Sequence, residues 1–242
     1  MHRPPDRVLR FSRAERWVHR ATAALMLTCL ATAACLYLAP LAELVGRRRL
    51  VVTVHVWCGL ALPVPLLLGL AFRAVRADVS RLSRFHPVDR AWLRAVRRRS
   101  EHRPAGKFNA GQKLYAQWTL GAMLVLLGTG LAMWLTHLAP ATWRTGATFV
   151  HDWLAAAVAV VTVGHVRMAL RDPESRRGMR TGLVDRRWAE REHPQWPHED
   201  PAAVREEPAV REEPAVREEP AVREEPAVRQ RQPAQEKQAV RE

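Results

Sequence analysis

The chain has 242 residues and a formal net charge of +14, and its 38 Lys and Arg residues lie almost wholly between and beyond four long apolar stretches. This distribution argues against a nucleic-acid-binding surface, because the charges follow the pattern of membrane topology and no nucleic-acid-binding motif accompanies them. The sequence contains no CxxC or CxxCH motif, which argues against thiol-bound zinc, iron–sulfur clusters and covalently attached haem. Cys29, Cys35 and Cys58 are expected to be small packing residues within the apolar stretches.

Four stretches are predicted to cross a lipid bilayer as helices. A helical span takes about 20 apolar residues, and suitable stretches cover about residues 17–38, 50–72, 114–136 and 147–168. Because lipid offers no hydrogen-bond partner to backbone N–H and C=O groups, each stretch is expected to be helical. The predicted fold class is therefore all-α, an integral membrane protein built as a four-helix transmembrane bundle.

The basic residues predict the orientation of this bundle. Lys and Arg are frequent before the first span, in the 73–113 loop and after the fourth span, whereas the other two loops contain few. Because such residues stay on the cytoplasmic side, both termini and the 73–113 loop are expected in the cytoplasm of a multi-pass plasma-membrane protein. The first apolar run is longer than that of a signal peptide, so cleavage is not expected.

Two segments outside the spans also carry predictions. In the 73–113 loop, apolar residues between Val88 and Val96 share one helical face, which predicts a short helix on the inner membrane surface; a solvated basic loop is the alternative. Near the C-terminus the hexad PAVREE repeats, and a proline every six residues prevents a continuous helix. Residues 199–242 are therefore predicted to be a disordered tail that follows a membrane domain formed by residues 1–198.

Four of the ten histidines lie in the predicted spans at two depths. With the predicted topology, His19 and His165 lie near the inner surface, and His55 and His151 lie near the outer surface. The fourteen residues from His151 to His165 correspond to nearly a whole number of helical turns and a rise of about 21 Å. Both rings therefore leave the same face of one helix, one near each membrane surface.

Paired imidazoles at one level of an apolar bundle suit b-type haem, because its iron takes axial histidine ligands and its porphyrin needs a dry, flat slot. The predicted ligand pairs are His55 with His151 around an outer haem and His19 with His165 around an inner haem. Hydrogen-bonded packing histidines are the alternative. Zinc or copper is disfavoured because those metals take ligands clustered at one point.

Six stretches of the chain follow the pattern of a known family: FSRAERWVHR at 11–20, VHVWCG at 54–59, GKFNAGQKLYAQW at 106–118, LLGTGLAMW at 126–134, FVHDWLAAAVAVVTVGHVRMAL at 149–170 and GLVDRRWAEREHPQW at 182–196. In them the chain resembles the cytochrome b (gamma) subunit of membrane-bound formate dehydrogenases. The GKFNAGQK and RRWAEREHPQW parts are the more specific, because histidine pairs also occur in hydrogenase and other di-haem cytochrome b subunits. Arg20 departs from the family pattern of an aromatic residue, and its guanidinium is expected to contact a haem propionate or lipid headgroups.

The resemblance implies an electron carrier with two b haems, in complex with an iron–sulfur (beta) subunit and a molybdopterin catalytic (alpha) subunit that oxidises formate. Electrons pass in this family from the iron–sulfur subunit through the outer and then the inner haem to a quinone, menaquinone or ubiquinone, which is reduced near the cytoplasm. The ligand positions of the family match His19, His55, His151 and His165. The loop that lines its quinone site matches Asn109 and Gln112, so this chain is expected to be the quinone-reducing part of an oxidoreductase.

Asn109 and Gln112 also suit a quinone on physical grounds, because their amides offer donors and acceptors at the cytoplasmic mouth of the third span. The alternative is that FNAGQK merely caps the helix, with Asn109 at its start. Two other functions stay open: a cytochrome b subunit of a hydrogenase or another quinone-linked oxidoreductase, and a haem-free transporter that uses buried histidines and Asp152. The sequence shows none of the inverted repeats or broken helices of a transporter, except that Pro63 and Pro65 could interrupt the second span.

Overall fold

The computed structural model describes residues 6–100, 103–137 and 140–196. The elements in chain order are β1 (Arg7–Leu9), α1 (Arg13–Tyr37), α2 (Ala39–Val45), α3 (Arg48–Ala61), α4 (Val64–Gly69), α5 (Arg73–Ser83), α6 (Pro87–Arg97), α7 (Ala110–Trp134), α8 (Ala141–Arg171), α9 (Pro173–Thr181), β2 (Leu183–Asp185) and α10 (Arg186–Glu192). The predicted all-α class is confirmed, with the addition of a small sheet of β1 and β2. The predicted tail, residues 199–242, lies outside the described residues.

Four helical segments are long and apolar enough to cross a membrane, which confirms the four predicted spans: Arg13–Tyr37, Arg48–Gly69, Ala110–Trp134 and Ala141–Arg171. Two of them begin several residues before the apolar stretch because polar residues cap them. At α1, Ser12 and Glu15 form a capping box, and Asn109 and Gln112 form another at α7. The second span consists of α3 and α4, which are separated at Pro63 because proline has no N–H to continue the helical ladder.

A buried apolar layer lies at the middle of the bundle. Each span contributes to it, and its residues are Met26, Leu62, Ala122, Met123 and Val158. Val158 lies seven residues from His151 and seven from His165 along α8, so the layer separates the two histidine depths. Large apolar side chains such as Leu124 and Val160 are exposed on the outside of the spans. Such an apolar outer surface is what contact with lipid chains requires.

The two ends of the described chain meet in a small folded unit, which we call the terminal cap and which comprises β1, α9, β2, α10 and the residues up to Trp196. β1 pairs antiparallel with β2, with Val8 opposite Val184. The core of the cap consists of Val8, Val184, Trp188, Ala189 and Trp196. Gly182, between α9 and β2, has φ of +94°, and a Cβ there would lie 2.5 Å from the carbonyl oxygen of Phe11. Glycine is therefore the residue that fits this turn.

The segment between the second and third spans contains α5 and α6. The helix α6 confirms the predicted helix, whereas α5 has no counterpart in the sequence prediction. Asp89 of α6 accepts from the His86 backbone N–H at 2.7 Å and binds Lys113 of α7 at 2.8 Å. Trp92 packs beside Gly111, where an added Cβ would lie 3.2 Å from the indole ring. These contacts fasten α6 to the start of α7, so this segment is not a solvated loop; its location on a membrane surface stays a prediction.

Candidate functional site

The structure brings the four predicted histidines together as two pairs. The ring centroids of His55 and His151 are 6.2 Å apart, and those of His19 and His165 are 6.4 Å apart. In each pair, one ring comes from the first half of the bundle and the other from α8. The rings that the sequence analysis pairs are therefore neighbours across the bundle.

The spacing within each pair fits two axial ligands of one metal. Metal–imidazole nitrogen bonds are about 2 Å long, so two rings that share one metal have centroids roughly 6 Å apart. The interplanar angles of 46° and 64° are compatible with this, because each ring can rotate about its own metal–nitrogen bond. Within residues 6–100, 103–137 and 140–196, no group of three or more His, Cys, Asp or Glu side chains is close enough to hold a metal ion. The histidine side chains that can bind a metal in this part of the chain therefore form pairs, which is the number of axial ligands that a haem iron takes.

Two threonine hydroxyls contact the rings of the His55–His151 pair. Thr32 Oγ1 lies 2.9 Å from His55 Nδ1, and Thr129 Oγ1 lies 3.0 Å from His151 Nδ1. Each hydroxyl also donates to a carbonyl one turn earlier on its own helix, at 2.7 Å on α1 and 2.8 Å on α7. Because the hydroxyl proton is used in this way, the hydroxyl oxygen accepts from the ring Nδ1–H. Both Nε2 atoms then carry the lone pair that binds a metal.

The His19–His165 pair has different neighbours. Tyr115 of α7 stacks on His165, with ring centroids 4.5 Å apart and planes 8° apart. His19 is exposed, whereas the other three rings are half-buried. The sequence analysis gives no role to Tyr115 or to the threonines of the other pair, although each is a polar group in an apolar span at the depth of a histidine. Their shared depth with a histidine was the sequence signal that could have identified them.

Asn109 and Gln112, the predicted quinone residues, begin α7 through their reciprocal capping box. Asn109 Oδ1 accepts from the Gln112 N–H at 2.9 Å, and Gln112 Oε1 accepts from the Asn109 N–H at 3.0 Å. This confirms the interpretation that FNAGQK caps the helix. Capping uses the two amide oxygens and leaves both side-chain NH2 groups as donors on half-buried residues. A quinone carbonyl can therefore be bound without breaking the cap, and the quinone role stays a prediction.

The terminal cap holds the loop that leads into α7. His193 Nδ1–H donates to the Gly106 carbonyl at 2.7 Å, and Arg10 donates to the Lys107 carbonyl at 3.0 Å. Arg10 also donates to His193 Nε2 at 3.0 Å, which fixes the tautomer of that ring. Burial and then the adjacent Arg10 charge lower the pKa of His193 to about 3, and burial lowers the pKa of Arg10 to about 10. His193 is therefore neutral and Arg10 charged at physiological pH.

A buried charged cluster, formed by Glu15, Asp78 and Lys107, lies beside the same loop. Lys107 Nζ lies 2.6 Å from Glu15 Oε1 and 2.8 Å from both carboxylate oxygens of Asp78. The side chains of Lys107, Glu15 and Asp78 are 7%, 8% and 9% exposed. Burial and the neighbouring Glu15 carboxylate raise the pKa of Asp78 to about 7. Because Glu15 is one helical turn before His19, the cluster connects the His19 end of α1 to the α7 loop.

Arg20 has hydrogen-bond partners in the terminal cap. Its guanidinium donates to the carbonyl oxygens of Met179 and Arg180 at 3.1 Å and 2.9 Å. Both carbonyls lie near the C-terminal end of α9, where orphan carbonyls need donors. Arg20 therefore fastens the terminal cap to α1, and its contact with a propionate or a headgroup stays a prediction.

Four membrane-length helices with two facing histidine pairs at two depths define a membrane cytochrome b. The family model described as prokaryotic cytochrome b561 matches residues 10–182, which include all four spans and all four paired histidines. The chain belongs to this family, and haem b is the cofactor that the family implies.

The chain is similar to cytochrome b subunits of several formate dehydrogenases. The nitrate-inducible formate dehydrogenase cytochrome b556(Fdn) subunit of Escherichia coli (strain K12) is 33% identical over 102 residues, which are 40% of this chain and 47% of that subunit. The formate dehydrogenase cytochrome b556 subunit of Haemophilus influenzae is 36% identical over 114 residues, 45% of this chain and 48% of that subunit. The cytochrome b556(fdo) subunit of Escherichia coli (strain K12) is 29% identical over 111 residues, which are 43% of this chain and 53% of that subunit. The matches span about half the length of these relatives.

Proposed function

We propose that this chain is the di-haem b electron-transfer subunit of a formate dehydrogenase complex. The observation that carries the proposal is the pair of centroid distances, 6.2 Å and 6.4 Å, at two depths of a cytochrome b561-family bundle. His55 and His151 would hold the outer haem, and His19 and His165 would hold the inner haem. Haem iron supplies reversible one-electron chemistry at each depth.

The charges around the spans support an orientation with both termini and the α5–α6 segment in the cytoplasm. In this orientation a haem held by His55 and His151 would lie near the outer surface, where an iron–sulfur (beta) subunit would supply electrons. The names of the relatives support formate as the substrate, which a separate molybdopterin (alpha) subunit oxidises. This chain then serves as the membrane anchor of the complex in the plasma membrane.

The side chains of this chain prepare the electron path and the quinone site. The apolar layer around Met26 and Val158 keeps water out of the interval between the two histidine depths, about 21 Å along α8. Gln112 lies one helical turn before Tyr115, and Tyr115 stacks on His165. A quinone, menaquinone or ubiquinone, that accepts hydrogen bonds from the NH2 groups of Asn109 and Gln112 is thus held beside the inner pair.

Haem content and ligand substitutions test the proposal. The purified protein, reduced with dithionite, should show a b-type α band with about two haems per chain. Either His55→Ala or His151→Ala should remove the outer haem and leave the inner haem visible, whereas His137→Ala, which changes a histidine outside both pairs, should keep both. A colourless preparation from haem-replete cells would overturn the proposal. Equal loss of both haems from every histidine variant would indicate collapse of the bundle instead of ligation.

The quinone role needs variants that keep the capping box. Asn109→Asp and Gln112→Glu retain the oxygens that cap α7 but lose the NH2 donors. We expect both to slow quinone reduction and raise the KM for quinone while the two haem spectra persist. Asn109→Ala, which also loses the cap, should lower thermal stability as well. If the Asp and Glu variants reduce quinone at the native rate, these amides do not bind the quinone.

A further inference from the structure

We infer that Thr32 and Thr129 are positioning residues for the outer haem: each hydroxyl, anchored to a carbonyl of its own helix, orients one axial imidazole and tunes the iron through that ring's Nδ1–H. The inference rests on the proposed function, because it needs His55 and His151 as ligands. It adds two residues that hold the ligands from outside the coordination shell.

The two contacts repeat one arrangement on both sides of the bundle. Thr32 on α1 holds a ring on α3 at 2.9 Å, and Thr129 on α7 holds a ring on α8 at 3.0 Å. Each hydroxyl lies near two carbonyls of its own helix, at 2.7 Å and 3.0 Å for Thr32 and at 2.8 Å and 3.2 Å for Thr129. Gly130 lies beside the His151 ring, and a Cβ there would be in ordinary van der Waals contact, 3.4 Å from His151 Cε1. Both rings are therefore fixed in tautomer and in direction.

The inner pair provides a reference within the same molecule. Among the residues that the structure describes, neither His19 nor His165 has a hydroxyl within hydrogen-bond distance of its ring, and the neighbour of His165 is the stacked Tyr115. An effect of the threonine hydroxyls should consequently reach the outer haem alone. A general change in folding or in detergent binding would affect both haems.

The direction of the effect follows from ligand basicity. An imidazole whose Nδ1–H donates to an acceptor is the more basic ligand at Nε2, and a more basic ligand favours ferric over ferrous iron. Loss of one acceptor should therefore raise the midpoint potential of the outer haem. A tenfold change in the ratio of ferric to ferrous stability corresponds to about 59 mV for a one-electron couple.

The test is an optical redox titration of the full chain in detergent, with the two haems resolved by potential. Thr32→Val and Thr129→Val remove the hydroxyl and keep the shape, and Thr32→Ser and Thr129→Ser retain the hydroxyl. The matched control is Thr28→Val, one turn away on α1, because the Thr28 hydroxyl donates to the Ala24 carbonyl at 2.9 Å and has no hydrogen bond to a histidine among the described residues.

We expect each Val variant to raise the midpoint potential of the outer haem by an amount that corresponds to about a tenfold change in the ratio of ferric to ferrous stability, or to lose that haem. The inner haem should be unchanged. The Ser variants and Thr28→Val should behave like the native protein. The inference is overturned if the outer haem of Thr32→Val and Thr129→Val has the native midpoint potential, or if the Ser variants behave like the Val variants. Either result leaves the assignment of the haem ligands intact. A native protein without two haems would instead overturn the proposed function.

Discussion

Replacing Lys107 with methionine should destabilise the protein, and more at alkaline than at neutral pH. In the native protein its ammonium group lies 2.6 Å from Glu15 and 2.8 Å from Asp78, and all three side chains are nearly buried. Methionine can still pack against Phe11 and Phe108, whose ring centroids are 5.2 Å and 5.5 Å from the ammonium nitrogen. The substitution nevertheless leaves two buried carboxylates without their shared cation. Removing one partner of a buried ion pair costs about 3 to 5 kcal/mol.

The pH dependence follows from Asp78, whose folded pKa of about 7 lies above its ordinary value of 3.8. Between these values the folded state binds more protons than the unfolded state, so stability falls as pH rises and stops falling above about pH 7. Without Lys107 the pKa of Asp78 rises further, and the variant continues to lose about 1.4 kcal/mol per pH unit above that point. Over the interval to about pH 8.5 the extra loss relative to the native protein amounts to about 2 kcal/mol.

Unfolding in mixed micelles of increasing SDS fraction, followed by helical circular dichroism, measures this difference at one pH near neutrality and one well above it. Lys113→Met is the control, because it removes a buried ammonium from a single carboxylate, Asp89, at 2.8 Å. Adding Asp78→Asn to Lys107→Met should remove the extra alkaline loss. An equal cost of Lys107→Met at both pH values, or an alkaline loss that survives Asp78→Asn, would refute the reasoning.

Three other substitutions test the terminal cap and the bundle. Gly182→Ala must adopt φ of +94° and brings a Cβ to 2.5 Å from a carbonyl oxygen, so the thermal midpoint should fall with a loss of about 1 to 3 kcal/mol. His193→Gln should weaken the dependence of stability on acid pH. The pKa of His193 is lowered to about 3, so the native protein loses stability as pH falls below about 6.5. The unfolding midpoint, measured over a range of pH values, tests this. Gly69→Ala places a Cβ 2.5 Å from Val18 Cγ2, beside His19, and should cost about 1 to 3 kcal/mol and alter the inner haem spectrum.

Matched variants and contrary outcomes separate these effects from general damage. Gly146→Ala is the glycine control, because a Cβ there meets nothing within 4 Å and alanine favours the helix. A native midpoint for Gly182→Ala would contradict the assignment of backbone strain. If His193→Gln loses as much stability at acid pH as the native protein, another group causes the acid sensitivity. If Gly69→Ala changes the spectrum of the outer haem, its effect is not local to α1.

The spans and the histidine pairs could be predicted because they depend on local properties of the chain. Apolar length marks a span, and the spacing of His151 and His165 places both rings on one face of a single helix. The depth of the other two rings follows from the alternating direction of the spans. The partner threonines could not be chosen in the same way, because contact between Thr32 and His55 depends on how two helices rotate against each other.

The terminal cap and the charged cluster arise from contacts between distant segments. β1 and β2 are three residues long and carry no alternating pattern extensive enough to predict a strand. Glu15, Asp78 and Lys107 come from three separate segments, and no periodicity relates them. The capping box at Asn109 could be predicted, since an Asn followed three residues later by Gln is a local signal for a helix start.

The pairing of β1 with β2 also determines when the terminal cap can fold during synthesis. β1 leaves the ribosome before the first span and β2 leaves it after the fourth, so the first strand has no partner until all four spans have been synthesised. The carbonyl of Gly106 likewise receives its hydrogen bond from His193 only after the fourth span has been synthesised. A nascent chain interrupted after α8 would have every span and all four imidazoles, but the loop that opens α7 would lack its brace. Completion of the terminal cap thus requires residues that are synthesised after the fourth span.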